Sequence, residues 1–131
     1  MKIMIVDDNK VFREAIRHML KRNTTYEIVA EAENGEQALE VSAKQHLDLV
    51  LMDIEMPIMN GIEACKLMLY QNNSLKMIAI TSYQDKMYLS DIIGAGFKAF
   101  VNKNNVFDEL EEAISNAISG KIHIPKDLKL C

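Results

Sequence analysis

Short apolar runs alternate along this chain with longer segments in which apolar residues recur at helical spacing. An apolar run of about four to eight residues between turn signals is typical of a buried strand, and a period of about 3.6 indicates an amphipathic helix. The runs predict five strands, at residues 2–6, 26–32, 47–52, 76–80 and 99–101. The periodic segments predict five helices, the first with apolar residues from Val11 to Leu20 and the others at residues 36–46, 62–70, 85–95 and 106–119.

Regular alternation of strands and helices predicts a parallel sheet, because parallel strands must be joined by crossovers, which are right-handed. The strand segments are nearly all apolar, as expected where helices cover both faces of the sheet. We therefore predict an α/β fold: a five-stranded, doubly wound parallel sheet with five helices. In such open sheets ligands bind outside the carboxyl ends of the strands, so the residues just after each strand are candidates for a functional site.

Charged and polar residues follow four of the predicted strands: Asp7 and Asp8, then Asp53, then Thr81, then Asn102 and Lys103. Three neighbouring carboxylates repel one another and cannot all stay ionised without compensating positive charge. Mg²⁺, which binds one or two carboxylates plus water, would supply that charge together with Lys103. This combination suits a phosphoryl group, with Asp53 at the end of the central strand as the nucleophile that forms an acyl phosphate.

Each of these residues also has a simpler interpretation when it is taken alone. An adjacent Asp pair is most often a helix cap beside a solvated charge, and Asp8 or Asn9 can cap the first helix. A single Asp after a strand is usually a turn residue, and a single Lys there is usually solvated. The functional interpretation depends on all of these residues falling at one edge of the predicted sheet.

Four sequence motifs accompany these strand ends. They are the acidic pair in Ile5-Val6-Asp7-Asp8-Asn9, the stretch Asp53-Ile54-Glu55-Met56-Pro57-Ile58-Met59-Asn60-Gly61, the triplet Ile80-Thr81-Ser82, and Gly94-Ala95-Gly96-Phe97-Lys98-Ala99-Phe100 continuing to Lys103. Together they resemble the receiver domain of bacterial two-component response regulators, over residues 2–120. The resemblance implies a flavodoxin-like sheet with strand order 2-1-3-4-5. It also implies a phosphorylation-gated switch whose phosphodonor is a sensor histidine kinase. It implies no enzymatic activity apart from the domain's own phosphorylation and slow autodephosphorylation.

The resemblance also implies a role for each site residue. Asp53 would be the phospho-acceptor, Asp8 and Asp53 would bind Mg²⁺ directly, and Asp7 would assist through water. The backbone carbonyl of Glu55 would complete the metal ligands that the protein provides. Lys103 would contact the phosphoryl group.

By the same resemblance, Thr81 and Phe100 would form the switch. Thr81 would swing toward the phosphoryl oxygens, and Phe100 would move inward into the space that it leaves, although Phe100 can also be an ordinary core aromatic. A new dianion at Asp53 gives the Thr81 hydroxyl a strong acceptor and would bias the surface around the fourth helix, fifth strand and fifth helix. From position alone, Glu55 and Tyr83 are predicted to affect how fast the phosphoryl group is hydrolysed.

Two departures from the receiver pattern matter. Asn104 follows Lys103 where many receivers carry Pro, so a cis-Pro turn does not carry over. Receivers of the NarL/FixJ type, which are joined to a LuxR-type helix-turn-helix domain, often lack this Pro too. Asn60 stands where Asp is common before Gly61 and can serve the same turn and capping role.

The resemblance to receiver domains also predicts how the chain is divided. We predict a receiver domain at residues 1–120 and a tail or linker at residues 121–131 that forms no further element. Residues 118–125 resemble the run-out of NarL/FixJ-type receivers into their linker, which predicts a DNA-binding domain beyond residue 131. The alternative is a stand-alone receiver that acts by protein–protein contact.

Length and composition narrow the function further. The 131 residues are about one domain's worth of chain, and a net charge of −4 from 15 basic and 19 acidic residues offers no obvious basic face for nucleic acid. We therefore expect DNA contact only through another domain, and a possible homodimer on phosphorylation. No apolar run approaches the roughly 20 residues of a membrane span, which predicts a cytoplasmic protein with no membrane contact. Cys65 and Cys131 are predicted to be free thiols.

Other phosphate-handling classes fit less well. Asp53-Ile54-Glu55 faintly resembles the nucleophile motif of haloacid-dehalogenase-type phosphatases, which also form aspartyl phosphates, but their nucleophile follows the first strand. An FMN-binding flavodoxin needs a hydroxyl- and Gly-rich phosphate loop after that strand, whereas the residues here are acidic. A P-loop NTPase would need a Gly-rich, Lys-containing loop that the sequence lacks.

Overall fold

The fold is a parallel sheet with helices on both faces. The computed structural model describes residues 1–82 and 86–125, and for residues 86–88 it describes the backbone alone. The strands are β1 (Lys2–Val6), β2 (Glu27–Ala32), β3 (Leu49–Met52), β4 (Lys76–Thr81) and β5 (Ala99–Asn102). The helices are α1 (Lys10–Leu20), α2 (Gly35–Lys44), α3 (Gly61–Gln71), α4 (Lys86–Ala95) and α5 (Val106–Ile118), with a 3₁₀ turn at Lys103–Asn105. Neighbouring strands pair in parallel in the order β2-β1-β3-β4-β5. The predicted α/β fold and strand order are confirmed.

The observed elements differ from the predicted ones mainly at their ends. α2 stops at Lys44, short of the predicted end at residue 46, because Gln45 already has an extended backbone. β3 begins at Leu49 rather than at residue 47, because the chain bends at Asp48, whose carboxylate accepts the backbone N–H of Lys2 at 2.7 Å. The predicted start of the fourth helix at residue 85 lies outside the described residues.

Asparagine side chains begin three of the helices. Asn9, Asn34 and Asn60 occupy the N-cap positions of α1, α2 and α3, and each side chain accepts a hydrogen bond from the backbone N–H three residues later. Such caps satisfy backbone donors that have no partner inside the helix. Of the two predicted caps for α1, Asn9 is the one used, and the expected capping role of Asn60 is confirmed.

Each face of the sheet carries its own apolar core, because successive side chains of a strand point to opposite faces. Ile3, Ile5, Leu49 and Leu51 pack with buried residues of α1 and α5. The alternate strand residues pack with α2, α3 and α4 on the other face; they include Met4, Val6, Val50, Met52, Met77 and Ala79. Burial on both faces fixes the strands, and therefore the positions of the residues at their carboxyl ends.

Residues 121–125 stay against the sheet after α5 ends. Gly120 takes a positive φ of 83°, and His123 then forms a single parallel bridge with Ala99 of β5. The backbone N–H of His123 donates to Lys98 O at 3.0 Å, and Phe100 N–H donates to His123 O at 2.8 Å. The sequence pattern predicted no further element after Gly120, and it missed this bridge because one buried residue between Ile122 and Ile124 is too short a signal. Residues 126–131 lie outside the described part of the chain.

Two smaller predictions concern membranes and thiols. Within the described residues, no helix combines the length and the apolar character needed to cross a bilayer. Cys65 is buried in α3 with a free thiol, and burial raises the pKa of that thiol to about 12. The prediction for Cys131 falls outside the described residues.

Candidate functional site

Three carboxylates converge at the carboxyl ends of β1 and β3. One carboxylate oxygen from each of Asp7, Asp8 and Asp53 lies within 4.8 Å of the other two. Asp7 and Asp53 are 1% and 6% exposed, whereas Asp8 is exposed. The backbone brings them together because β1 and β3 are paired, and the pairing continues past the strands: Asp53 N–H donates to Val6 O at 2.9 Å.

Lys103 closes the site from the end of β5. Its Nζ lies 2.7 Å from Asp7 Oδ2 and donates a hydrogen bond of 3.1 Å to Asp53 Oδ2. The ammonium also sits over the ring of Phe12, 4.7 Å from the centroid, in a cation–π contact. The sequence pattern indicates only an apolar helix position for Phe12, since spacing along α1 carries no information about the contact with Lys103.

The electrostatics of the site are dominated by burial and by repulsion between carboxylates. Burial and, to a smaller extent, the negative charge of Asp7 raise the pKa of Asp53, Lys103 opposes both effects, and the resulting pKa is about 6. Burial alone would lower the pKa of Lys103, but its hydrogen bond with Asp7 and the attraction of both carboxylates raise it instead. One ammonium therefore faces three acidic groups, which leaves the ionised site with excess negative charge.

The chemistry of this donor set fits a hard divalent cation. Mg²⁺ prefers oxygen ligands and is usually bound by one or two carboxylates plus water. Asp8 is exposed, and its carboxylate has no hydrogen-bond partner among the described residues, so it is accessible to a hydrated ion. A cation here would also relieve the repulsion that raises the pKa of Asp53.

The two predicted switch residues lie on the strands next to this cluster. Thr81 ends β4 and is 1% exposed; its register partner on β5 is Asn102. Phe100 is also 1% exposed, so its ring already lies within the core that contacts α3 and α4. Asn102 is fully buried, and its Nδ2 has no hydrogen-bond partner among the described residues. Tyr83 falls outside the part of the chain that the structure describes.

The loop between β3 and α3 is tightly built around Asp53. A Cβ atom on Gly61 would lie 2.1 Å from the carbonyl oxygen of Asp53, so only glycine fits there. Ile58 has a φ of 72°, an uncommon conformation for a β-branched residue. Glu55 is exposed and lines an open groove of about 620 Å³ together with Asp8 and other loop residues. The role of its backbone carbonyl as a metal ligand remains a prediction.

Arg13 of α1 is a neighbour that sequence analysis did not single out. Its Nη1 donates to the backbone carbonyl of Asp7 at 2.6 Å. No motif pointed to this contact, because an Arg on a helix is ordinarily a solvated residue.

The chain matches the family model described as "Response regulator receiver domain" over residues 3–115. Among curated proteins it is 32% identical over 123 residues to the transcriptional regulatory protein DegU of Brevibacillus brevis, covering 94% of this chain and 52% of that protein. It is 39% identical over 110 residues to the uncharacterized transcriptional regulatory protein YhcZ of Bacillus subtilis, covering 84% of this chain and 51% of that protein. The chain thus spans about half the length of these curated relatives.

A solved structure gives the same result for the fold. A LuxR-family two-component response regulator from an Aurantimonas species superposes with a TM-score of 0.91 at 28% identity, covering 97% of this chain and 91% of that chain. The similarity extends over all five strands and the helices between them.

Proposed function

Since this chain belongs to the response regulator receiver domain family, we propose that its residues 1–120 act as a phosphorylation-gated switch in which Asp53 accepts a phosphoryl group from a sensor histidine kinase. The observation that carries this proposal is the cluster at the strand ends: three carboxylate side chains within 4.8 Å of one another, closed by Lys103. Asp53 is the member that follows the central strand, with Asp7, Asp8 and Lys103 around it.

The proposed reaction is a transfer between two protein side chains. A carboxylate oxygen of Asp53 attacks the phosphorus of a phosphohistidine, the N–P bond breaks, and an acyl phosphate forms. Mg²⁺, held by Asp8, Asp53 and the Glu55 carbonyl with Asp7 acting through water, would supply positive charge to the phosphoryl oxygens. Lys103 would transfer its contact from Asp53 to the phosphoryl group. Beyond this step and slow hydrolysis of the acyl phosphate, we propose no enzymatic activity.

The proposed output is a change in the surface formed by α4, β5 and α5. Thr81 would turn toward the phosphoryl oxygens, and Phe100 would adjust to the space that the side chain leaves. Because the curated relatives are transcriptional regulators about twice as long as this chain, we propose that the surface controls a DNA-binding domain after residue 131. Residues 121–131 would be the linker, and the first part of that linker pairs with β5 through His123. A homodimer formed on phosphorylation and a cytoplasmic location belong to the same proposal.

Two other functions remain as alternatives. A stand-alone receiver would use the same surface to contact another protein. An aspartyl-phosphate-forming phosphatase is disfavoured because Asp53 follows β3, whereas the nucleophile of such phosphatases follows the first strand.

The test is intact mass spectrometry after incubation with Mg²⁺ and acetyl phosphate. We expect the wild type to gain the mass of one phosphoryl group, and we expect Asp53→Asn and the chelator-treated wild type to gain none. Asp48→Asn is the matched control, because Asp48 is a carboxylate at the opposite end of β3. Labelling of both Asp53→Asn and wild type would overturn Asp53 as the acceptor, and no labelling of any protein would count against phosphorylation as the switch.

A further inference from the structure

Arg13 is buried beside the acidic cluster, and the reaction proposed above does not use this residue. Its side chain is only 8% exposed. One arm of the guanidinium donates to the Asp7 carbonyl at 2.6 Å, and Nε donates to Glu31 Oε1 of β2 at 2.9 Å. Glu31 also accepts hydrogen bonds from Arg17, one turn further along α1. Burial alone would raise the pKa of Glu31, but the hydrogen bonds from the two arginines lower it, so the group is ionised at neutral pH.

The contact to Asp7 completes a set of restraints on the turn after β1. Asp7 N–H donates to Ala32 O at 3.0 Å, and Asp7 Oδ1 accepts from the backbone N–H of Asn9 at 2.9 Å. Arg13 holds the remaining polar group of that residue, its carbonyl. Because a peptide unit is planar, fixing this carbonyl also fixes the direction in which the chain enters Asp8.

Asp8 has no restraint of its own comparable to these. Its side chain is exposed, and within the described residues no hydrogen bond holds its carboxylate. The orientation of the peptide before it therefore decides where the carboxylate lies relative to Asp7 and Asp53.

We propose that Arg13, oriented by Glu31, is a positioning residue that sets the geometry of the Asp7–Asp8 turn for divalent cation binding. The inference rests on the proposed function, since it concerns the same site. The Arg13 guanidinium would contact neither the phosphoryl group nor the metal, so this role is additional to those of the proposed function. Groups that orient metal ligands typically change metal affinity by about 10–100-fold when they are lost.

The position and the charge of Arg13 have opposite effects on Mg²⁺ binding, which makes the proposal testable by sign. A guanidinium so near the site repels a second cation, so losing its charge alone would tighten Mg²⁺ binding. Losing its hydrogen bond to the Asp7 carbonyl would weaken binding. Arg13→Lys keeps the charge but cannot reproduce the planar fork that bonds Asp7 and Glu31 together.

The experiment is calorimetric titration of the unphosphorylated protein with Mg²⁺, alongside circular dichroism and urea unfolding of every variant. We expect Kd to rise about tenfold in Arg13→Lys and to rise in Arg13→Gln and Glu31→Gln as well. Glu31→Gln changes a side chain that is 26% exposed and so tests the proposal even where an Arg13 variant fails to fold. Arg17→Gln is the control: it removes an ion pair with the same glutamate but no contact to Asp7, and its Kd should stay within about twofold of wild type.

Several results would overturn the proposal. These are an unchanged Kd in folded Arg13→Lys and Glu31→Gln, tighter binding in Arg13→Gln, or equal weakening in Arg17→Gln. Failure of the proposed function gives a different result, because wild type itself would then bind no Mg²⁺ or form no acyl phosphate. Urea unfolding separates a structural role of Arg13 from the proposed positioning role. If the role were purely structural, substituting Arg13 would lower the free energy of unfolding without changing the Kd for Mg²⁺.

Discussion

Asp53 is a buried carboxylate whose pKa lies well above its ordinary value. Burial, and then the neighbouring Asp7, raise its pKa to about 6 despite the Lys103 ion pair. A pKa that is higher in the folded than in the unfolded protein means that folding favours the protonated carboxyl. The contribution of this group to the free energy of unfolding is therefore fully present below the unfolded-state pKa and is lost as pH rises through the folded-state pKa. The site therefore stores unfavourable free energy at neutral pH.

Replacing that carboxylate should stabilise the metal-free protein. In a chelator at pH 8, we expect Asp53→Asn to increase the free energy of unfolding by up to about 3 kcal/mol, since one pKa unit corresponds to about 1.4 kcal/mol. The gain should disappear below about pH 4, where the Asp53 carboxyl is protonated in both the folded and the unfolded protein. Urea unfolding across this pH range measures it.

Asp48→Asn provides the control of opposite sign. The backbone N–H of Lys2 lowers the pKa of Asp48, so this variant should lose stability at neutral pH and approach wild type at low pH. Equal pH profiles for the two variants would contradict the assigned cause.

Among the elements, α3 can lie close to the end of β3 because Gly61 has no Cβ atom. A Cβ on Gly61 would meet the Asp53 carbonyl at 2.1 Å, whereas a Cβ on Gly94 in α4 would meet nothing within 4 Å. The same substitution should therefore have opposite results in the two helices.

We expect Gly61→Ala to destabilise the protein by about 3 kcal/mol, because the loop must shift away from the end of β3. Gly94→Ala should stabilise it by roughly 0.5 kcal/mol through helix propensity. Thermal unfolding of both variants tests the comparison. A Gly61→Ala protein as stable as wild type would mean that the loop yields freely.

The elements themselves, and the edge where the site lies, could be predicted because their signals are local. An apolar run such as residues 47–52 and the acidic residue after it are adjacent in the chain, and parallel pairing brings such strand ends together. Phe12, Arg13 and His123 could not be found in this way. Each acts through a partner that is distant along the chain, namely Lys103, Glu31 and Ala99.

At the scale of the whole molecule, the proposed metal site links two distant parts of the chain. Asp7 and Asp8 follow β1, and Asp53 follows β3, so an unfolded chain does not hold them together. A ligand that binds only the folded state stabilises it by about 2.7 kcal/mol at 100 times its Kd.

Mg²⁺ should therefore raise the melting temperature of wild type, and a chelator should reverse the effect. Asp8→Asn should lose most of this shift while it keeps the fold, because Asp8 is exposed. Differential scanning calorimetry with and without Mg²⁺ measures the shift. An Asp8→Asn protein that responds as strongly as wild type would remove Asp8 from the ligand set.

The bridge between His123 and Ala99 matters for how the domain is produced as a recombinant fragment. β5 is the last strand of the sheet, and this bridge covers part of its outer side. A fragment cut after Gly120 would present that strand's backbone groups to other molecules, and exposed strand edges promote self-association. Light scattering should show a fragment ending at residue 125 to be monodisperse at concentrations where one ending at residue 120 forms aggregates. The soluble unit is then defined by the backbone pairing at His123 and not by the end of α5.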